Sequence, residues 1–153
     1  MRVYLGYDHR GEKLAYKLIE ELVNLGLDVN LPYDNNSEND DYPDISVAVC
    51  AKVKKDKKSF GVLICGTGIG MCMAANREEG IRAVLAENEE KAYFARRHED
   101  SNVLVLSAGY EDDKYKVKEH KNVFEIIKVF IETEFEEGRH IKRIKKLDLI
   151  NNK

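Results

Sequence analysis

The chain has 153 residues, the length of one domain. Lys and Arg number 25 and Asp and Glu 28, and the resulting charge of −3 excludes a general attraction to nucleic acid or to an anionic membrane surface. Hydrophobic residues make up 43%, enough for a packed core, while 10 Gly, 2 Pro and the lack of any apolar run approaching about 18 residues exclude collagen, low-complexity and membrane-spanning chains.

Val3 to Tyr7 predicts a first strand. Leu14, Leu18, Leu22 and Leu25 then recur at spacings of four, four and three, the stripe of an amphipathic helix, and Gly26 stands where a helix-ending glycine belongs. Leu27 to Leu31 predicts a second strand, and the Asn-rich acidic run from Asp34 to Asp41 a surface loop. Pro43 suits the first turn of a helix reaching about Lys55. Phe60 to Cys65 is a wholly apolar third strand that ends in a glycine-rich turn, and Met71 to Asn76 a short helix. Ile81–Ala86 and Val103–Leu106 predict strands four and five, on either side of a helix from Glu89 to His98. From about Lys114 the rest reads as helical. Val123, Ile126, Ile127, Phe130 and Ile131 form one apolar face, and Ile141, Ile144 and Leu147 resume it after Gly138.

Strands alternating with helices imply right-handed crossovers and a parallel sheet covered on both faces. Ligands bind such sheets beyond the carboxyl ends of the strands. Asp8-His9-Arg10-Gly11 follows the first strand and places an acid, an imidazole and a guanidinium together. The plainer reading is that Asp8 caps the next helix. Cys65-Gly66-Thr67-Gly68-Ile69-Gly70 follows the third strand. Its alternating glycines can turn several N–H groups into one anion-binding concavity, with the next helix adding its positive end. A dinucleotide site is disfavoured, because no acidic partner follows within a second strand. Cys65 beside such amides could serve as thiolate base or nucleophile, or could simply be a buried strand-end cysteine. Cys72 and Cys50 suit core positions. Three irregularly spaced cysteines, with no CxxC pair and no secretory leader, point to free thiols in the cytoplasm and away from zinc. His98-Glu99 closes the fourth helix, and Arg139 and Arg143, four apart, could present two guanidinium forks to a phosphate or form an ordinary basic surface.

Taken together, Gly6-Tyr7-Asp8-His9 with Gly11, Asp41-Tyr42-Pro43, Cys65 to Gly70, Ala74-Ala75-Asn76, Gly80-Ile81-Arg82-Ala83, His98 with Asn102-Val103-Leu104, and Gly138-Arg139-His140 with Arg143 resemble the ribose-5-phosphate isomerase B family, which includes the galactose-6-phosphate isomerase subunits. The resemblance spans about Arg2 to Leu147. It implies a single domain over residues 1–153 with a Rossmann-like three-layer α/β/α sandwich, a five-stranded parallel sheet and an extended C-terminal helix at about 137–150. It further implies an aldose–ketose isomerase with no metal and no organic cofactor. The assembly would be a homodimer or a dimer of dimers, with each site at the subunit boundary and the C-terminal helix at that interface.

In that arrangement Cys65 removes the carbon-bound proton, His98 opens the sugar ring with Thr67 and Asp8, and Gly66, Thr67, Gly68, Ile69 and Gly70 hold the enediolate. His9, Arg139 and Arg143 hold the phosphate, while Tyr42 and Glu99 border the sugar. Two positions depart from the family pattern. Glu99 stands where many relatives have Asn, and Gly109 where they commonly have Arg. His98 favours the ribose-type branch. The two departures leave open a hexose 6-phosphate of the allose or galactose type, or a sugar-phosphate-binding protein without catalysis.

Overall fold

Strand β1 (Arg2–Tyr7) buries every residue after Arg2, so both faces of its sheet are covered. A computed structural model describes residues 1–34 and 41–150 of the chain. Most of the expected Asp34–Asp41 loop lies outside the described residues. The other strands of the sheet are β2 (Asp28–Asn30), β3 (Ser59–Cys65), β4 (Ala83–Leu85) and β5 (Val103–Ser107). Their order is β2-β1-β3-β5-β4 and every pairing is parallel. This is the expected five-stranded α/β/α sheet.

Side-chain alternation builds two cores. Val3, Leu5, Val62, Ile64, Leu104 and Leu106 point to one face, and Tyr4, Leu63, Cys65, Val103 and Val105 to the other. The first face is covered by α1 (Glu12–Asn24), α4 (Glu89–Arg97) and α5 (Val123–Glu132). α1 presents Leu14, Leu18 and Leu22 there, and α5 presents Ile126, Ile127 and Phe130. The second face is covered by α2 (Tyr42–Lys55), through Ile45, Val49 and Val53, and by α3 (Ile69–Ala75), through Met71 and Ala75. Gly26 ends α1 with φ +78°, and Leu27 N–H reaches back to Leu22 O at 3.2 Å.

The chain departs from the sequence expectation after β5. Residues from Lys114 are not yet helical, because an antiparallel hairpin of β6 (Tyr110–Glu111) and β7 (Lys116–Val117) comes first. Asp112 explains the turn: its carboxylate accepts the N–H groups of Lys114 (2.9 Å) and Tyr115 (2.7 Å). At the far end a 3₁₀ turn (Gly138–His140) precedes α6 (Ile141–Ile150). Arg139 and Arg143 therefore straddle two helix types rather than one regular face. α6 buries only Ile144 and is tied down by Asp148, which accepts from Arg82 at 3.0 Å. Among the described residues no helix is long and apolar enough to cross a membrane.

The order β2-β1-β3 puts a topological switch between β1 and β3, so Tyr7 and Ile64 end side by side. Asp8 N–H bonds Ile64 O at 3.2 Å, and Gly11 lies on the same carbonyl. A Cβ at position 11 would sit 2.4 Å from that backbone oxygen. Gly11→Ala is therefore expected to lower the unfolding free energy in urea by about 2 kcal/mol or more. Gly26→Ala meets no atom within 4 Å and should lose only about 1 kcal/mol, for its left-handed φ.

Candidate active site

The carboxyl edge of β1 and β3 carries the first half of the site. Buried Cys65 ends β3, and the chain then turns through Gly66 to Gly70 into α3. Gly68 makes the turn possible: its φ is +78°, and a Cβ there would lie 2.4 Å from Leu85 Cδ1. Its N–H donates to Cys65 Sγ at 3.2 Å. Thr67 Oγ1 accepts Ile69 N–H at 3.3 Å. Ser107 Oγ donates to Gly66 O at 2.7 Å and accepts Gly109 N–H at 3.2 Å, which fixes the plane of the Gly66–Thr67 peptide. The Tyr42 ring borders Gly70, whose added Cβ would be 2.7 Å from it.

Asp8 is 7% exposed, and its Oδ1 accepts the N–H groups of Arg10 and Gly11, each at 3.0 Å. Asp8 thus closes the turn ahead of α1 but is not its cap, since Gly11 is the N-cap and has no side-chain cap bond; Asp8 also faces Cys65. Burial pushes the Cys65 thiol above its usual pKa. The N–H groups of Gly68, Met71 and Thr67 pull the other way, and the Asp8 charge adds to the rise. Sequence left the ionisation of Cys65 open; here burial outweighs the neighbouring amides. Cys50 is fully buried and its thiol is pushed up to about 12, first by burial and then by Glu78, which leaves it inert. Cys72 is half-buried against Ala83 O at 3.7 Å.

The other expected residues lie elsewhere. α4 runs antiparallel to the strands, so His98, at its C-terminus, stands at the amino edge of the sheet, before β5. There its ring stacks on His140, with centroids 4.4 Å apart and planes 10° from parallel. Glu136 Oε2 is 4.0 Å from His98 Nε2 and 3.0 Å from Arg97 Nε, and Glu136 Oε1 is 3.7 Å from His140 Nε2. Arg139 Nε donates to His140 Nε2 at 3.2 Å. His140 is 2% exposed. Burial, then the charges of His98, Arg139 and Arg143, push it below the ordinary histidine pKa, against the pull of Glu136.

His98, Glu136 and His140 offer donor atoms within 4.8 Å of one another. They do not fit a metal ion, because stacked parallel rings cannot both aim their in-plane lone pairs at one point, and Arg139 already occupies His140 Nε2. His98 and exposed Glu99 line a cavity of about 720 Å³ with Ile81, Val84, Phe94 and Leu147.

Asp8, Tyr42, Cys65, Gly66, Thr67, Gly68, Ile69 and Gly70 thus come together at the carboxyl edge, and His9 follows Asp8 there, exposed. His98, Glu99, Arg139 and Arg143 belong to the amino edge of the same chain. Gly61 pairs with Val103 at that edge and Cys65 with Ser107 at the other, a rise of roughly 13 Å along the strands. Sequence reasoning assigned no role to His140, Glu136 or Ser107. Two of the three were hidden because long-range folding creates their partners. His140 stood inside the quoted Gly138-Arg139-His140 run, the one available signal.

These features define a doubly wound parallel α/β protein with a thiol and a backbone anion cup at its topological switch point. The chain belongs to the Ribose/Galactose Isomerase family, whose match covers residues 3–147. A curated relative from Mycoplasma genitalium, named "Probable ribose-5-phosphate isomerase B", is 40% identical over 147 residues, 95% of this chain and 92% of its own length. The crystal structure of ribose-5-phosphate isomerase B from Mycoplasma genitalium with bound ribulose-5-phosphate matches with a TM-score of 0.86 and 36% identity, over 99% of this chain and 97% of that one. A ribose 5-phosphate isomerase from Thermotoga maritima matches with a TM-score of 0.84 and 35% identity, over 96% and 97% of the two chains.

The electrostatics of Cys65 can be read by alkylation. With Cys50 and Cys72 replaced by Ala, iodoacetamide labelling of Cys65 should rise with pH through a midpoint above that of a free cysteine, because the thiolate reacts and burial delays its formation. Asp8→Asn removes a charge that raises the thiol pKa, so its labelling curve should move to lower pH.

Proposed function

We propose that this chain interconverts ribose 5-phosphate and ribulose 5-phosphate. The observation that carries this reading is Cys65 Sγ held 3.2 Å from Gly68 N–H, beside a run of backbone amides, in a chain of this family. A thiolate there takes the proton from C2 of the open-chain aldose. The C–H electron pair moves into the C1–C2 bond, and charge collects on the C1 oxygen. Amides of the Gly66–Gly70 turn hold that oxygen, each donor contributing about 3–4 kcal/mol in comparable oxyanion sites. The sulfur then returns the proton to C1 while a proton passes between the two oxygens, so nothing is gained or lost overall. A base near 3 Å from the proton suffices, and no cofactor is required.

His98 transfers the proton that opens the sugar ring, with Thr67 and Asp8 next to the oxygen on the other side of the substrate. His9, Arg139 and Arg143 hold the phosphate. Tyr42 and Glu99 border the hydroxyls. This division needs two chains, because Cys65 and His98 occupy opposite edges of one sheet. Exposed apolar side chains support a homodimer: Ile69 and Met73 on α3, Tyr93 and Phe94 on α4, and Leu147 and Ile150 on α6. The α6 helix is then part of the interface, and one folded unit spans the chain. Free Cys50, Cys65 and Cys72 support a reducing, cytoplasmic setting.

Turnover of ribose 5-phosphate by the purified chain tests the reaction, with heavy-water exchange at C2 as a second readout. Cys65→Ala is expected to abolish both, and exchange at the parent rate in that variant would remove Cys65 as base. A higher kcat/KM on allose or galactose 6-phosphate than on ribose 5-phosphate would reassign the substrate. Binding of ribose 5-phosphate without exchange would leave a non-catalytic binder.

Shared sites have a separate signature. Cys65→Ala and His98→Gln chains should each be inactive alone. After co-refolding at equal amounts they should recover about a quarter of parental activity, because half the dimers are mixed and one of their two sites is intact. No recovery, with mixed dimers demonstrated, would place Cys65 and His98 in one chain's site.

A further inference from the structure

We propose that Arg10 is a phosphate-binding residue of this site, its guanidinium held in place by the Tyr110 ring. The inference rests on the isomerase reading above and names a residue that reading does not use. Arg10 follows Asp8 and His9 at the carboxyl end of β1. Its stem crosses Gly66, the first residue of the amide cup, where an added Cβ would lie 2.9 Å from Arg10 Cδ. The same Cβ would be 3.5 Å from Tyr110, so Gly66, Arg10 and Tyr110 form one stack at the rim. The guanidinium carbon lies 4.6 Å from the centre of the Tyr110 ring.

Arg2, Arg82, Arg96 and Arg97 each meet a carboxylate at 3.0 Å or closer. Arg10 shares with Arg77, Arg139 and Arg143 the lack of a carboxylate partner among the described residues, and differs from those three in resting on an aromatic ring. That ring lies at the mouth of an anion cup. The ring holds one face of the guanidinium, while its edge, with the N–H forks, stays available to a ligand. Prior restraint of a long side chain lowers the entropy lost when it binds. Its own backbone N–H is held by Asp8 Oδ1 at 3.0 Å, and His9 stands beside it in the chain. In the shared site Arg139 and Arg143 come from the second chain, so Arg10 adds a permanent positive charge from the cup's own chain, next to His9.

The hairpin explains why the cation comes from β1 rather than from the end of β5. Gly109 has φ +95°, and a Cβ there would meet Glu119 N at 3.1 Å, so backbone fills the space next to it. The next residue, Tyr110, starts β6 and supplies the platform. Chain geometry after β5 thus offers a ring in place of a charge, and Arg10 uses it.

Arg10 is exposed, so its replacement should leave the melting temperature near that of the parent. Arg10→Ala should raise KM for ribose 5-phosphate by roughly tenfold with kcat within about twofold, and should raise the Ki of inorganic phosphate in proportion. Arg10→Lys should recover part of the loss. Tyr110→Leu keeps the charge but removes the platform, and should fall between parent and Arg10→Ala. Unchanged KM and phosphate Ki in Arg10→Ala, or a fall in kcat alone, would overturn the assignment. If the parent fails to isomerise ribose 5-phosphate, the isomerase reading fails by itself. Calorimetric titration with inorganic phosphate then decides the role of Arg10: weaker binding in Arg10→Ala supports it, and equal binding overturns it.

Discussion

Close backbone approach at the ends of β1 and β3 governs the rest of the site. Asp8 N–H bonds Ile64 O, and Gly11 seats the start of α1 on the same carbonyl, with no room for a Cβ. That contact fixes where Asp8 and Arg10 stand relative to Cys65, one residue beyond Ile64. Gly68 then folds the following turn under Leu85, so that its N–H points back at the sulfur. Both glycines give up side-chain packing for proximity, and the proximity makes a strand end into an anion cup. Ser107 secures the arrangement from β5 by holding Gly66 O. Three adjacent parallel strands therefore contribute one residue each to the same few ångströms, which explains why the site lies at the switch in strand order.

Cys65 shows two demands in conflict. In the proposed reaction burial would keep water from the reacting carbon, but it raises the thiol pKa, and the Asp8 carboxylate raises it further. The amides of Gly68, Met71 and Thr67 oppose both. Those amides have a second use, since N–H groups that favour a thiolate also favour an oxyanion near it. In the proposed reaction, as the proton moves from carbon to sulfur, negative charge would leave the sulfur and appear on the sugar oxygen, and the same donors could follow it with little rearrangement. The resting thiol is harder to ionise than a free cysteine, but the barrier that matters is the charge shift, and there the cup serves both ends.

The sequence already carried the sheet. Unbroken apolar strands such as Val62-Leu63-Ile64, the Leu14-Leu18-Leu22 stripe and the glycines that end elements need only local rules to be read. Residues 65–70 were legible for the same reason, because a nest is built from consecutive residues. The hairpin at Tyr110–Val117 was not, since the charge-rich run from Asp112 to Lys118 has no apolar period and its turn depends on one Asp side chain. Nor could periodicity reveal the stack of His98 on His140, 42 positions apart, or Arg10 lying over Tyr110. Such pairs exist only once the sheet has set its strand order. The ionisation of Cys65 stayed open because amide donors can be counted in a sequence, whereas desolvation cannot.

Charge is sorted along the strands in a way that bears on assembly. The carboxyl edge holds the Asp8 carboxylate and the Cys65 thiol beside Arg10. The amino edge gathers Arg97, Arg139 and Arg143 around two imidazoles, with Glu136 as counter-ion to Arg97. A sugar phosphate has matching polarity: a reacting end that turns anionic on oxygen and a dianion at the other end. Such a ligand cannot reach both edges of one sheet, but it can lie between the carboxyl edge of one chain and the amino edge of another. The Arg139–Arg143 region also stands away from its own chain's Cys65, so in the proposed dimer those cations would meet the thiol only across the interface. In the proposed dimer the partner chain would supply the electrostatic half that a single chain does not hold at its cup. Arg10 is a cation carried on the carboxyl edge itself, resting on the Tyr110 ring while Asp8 Oδ1 accepts the backbone N–H groups of Arg10 and Gly11.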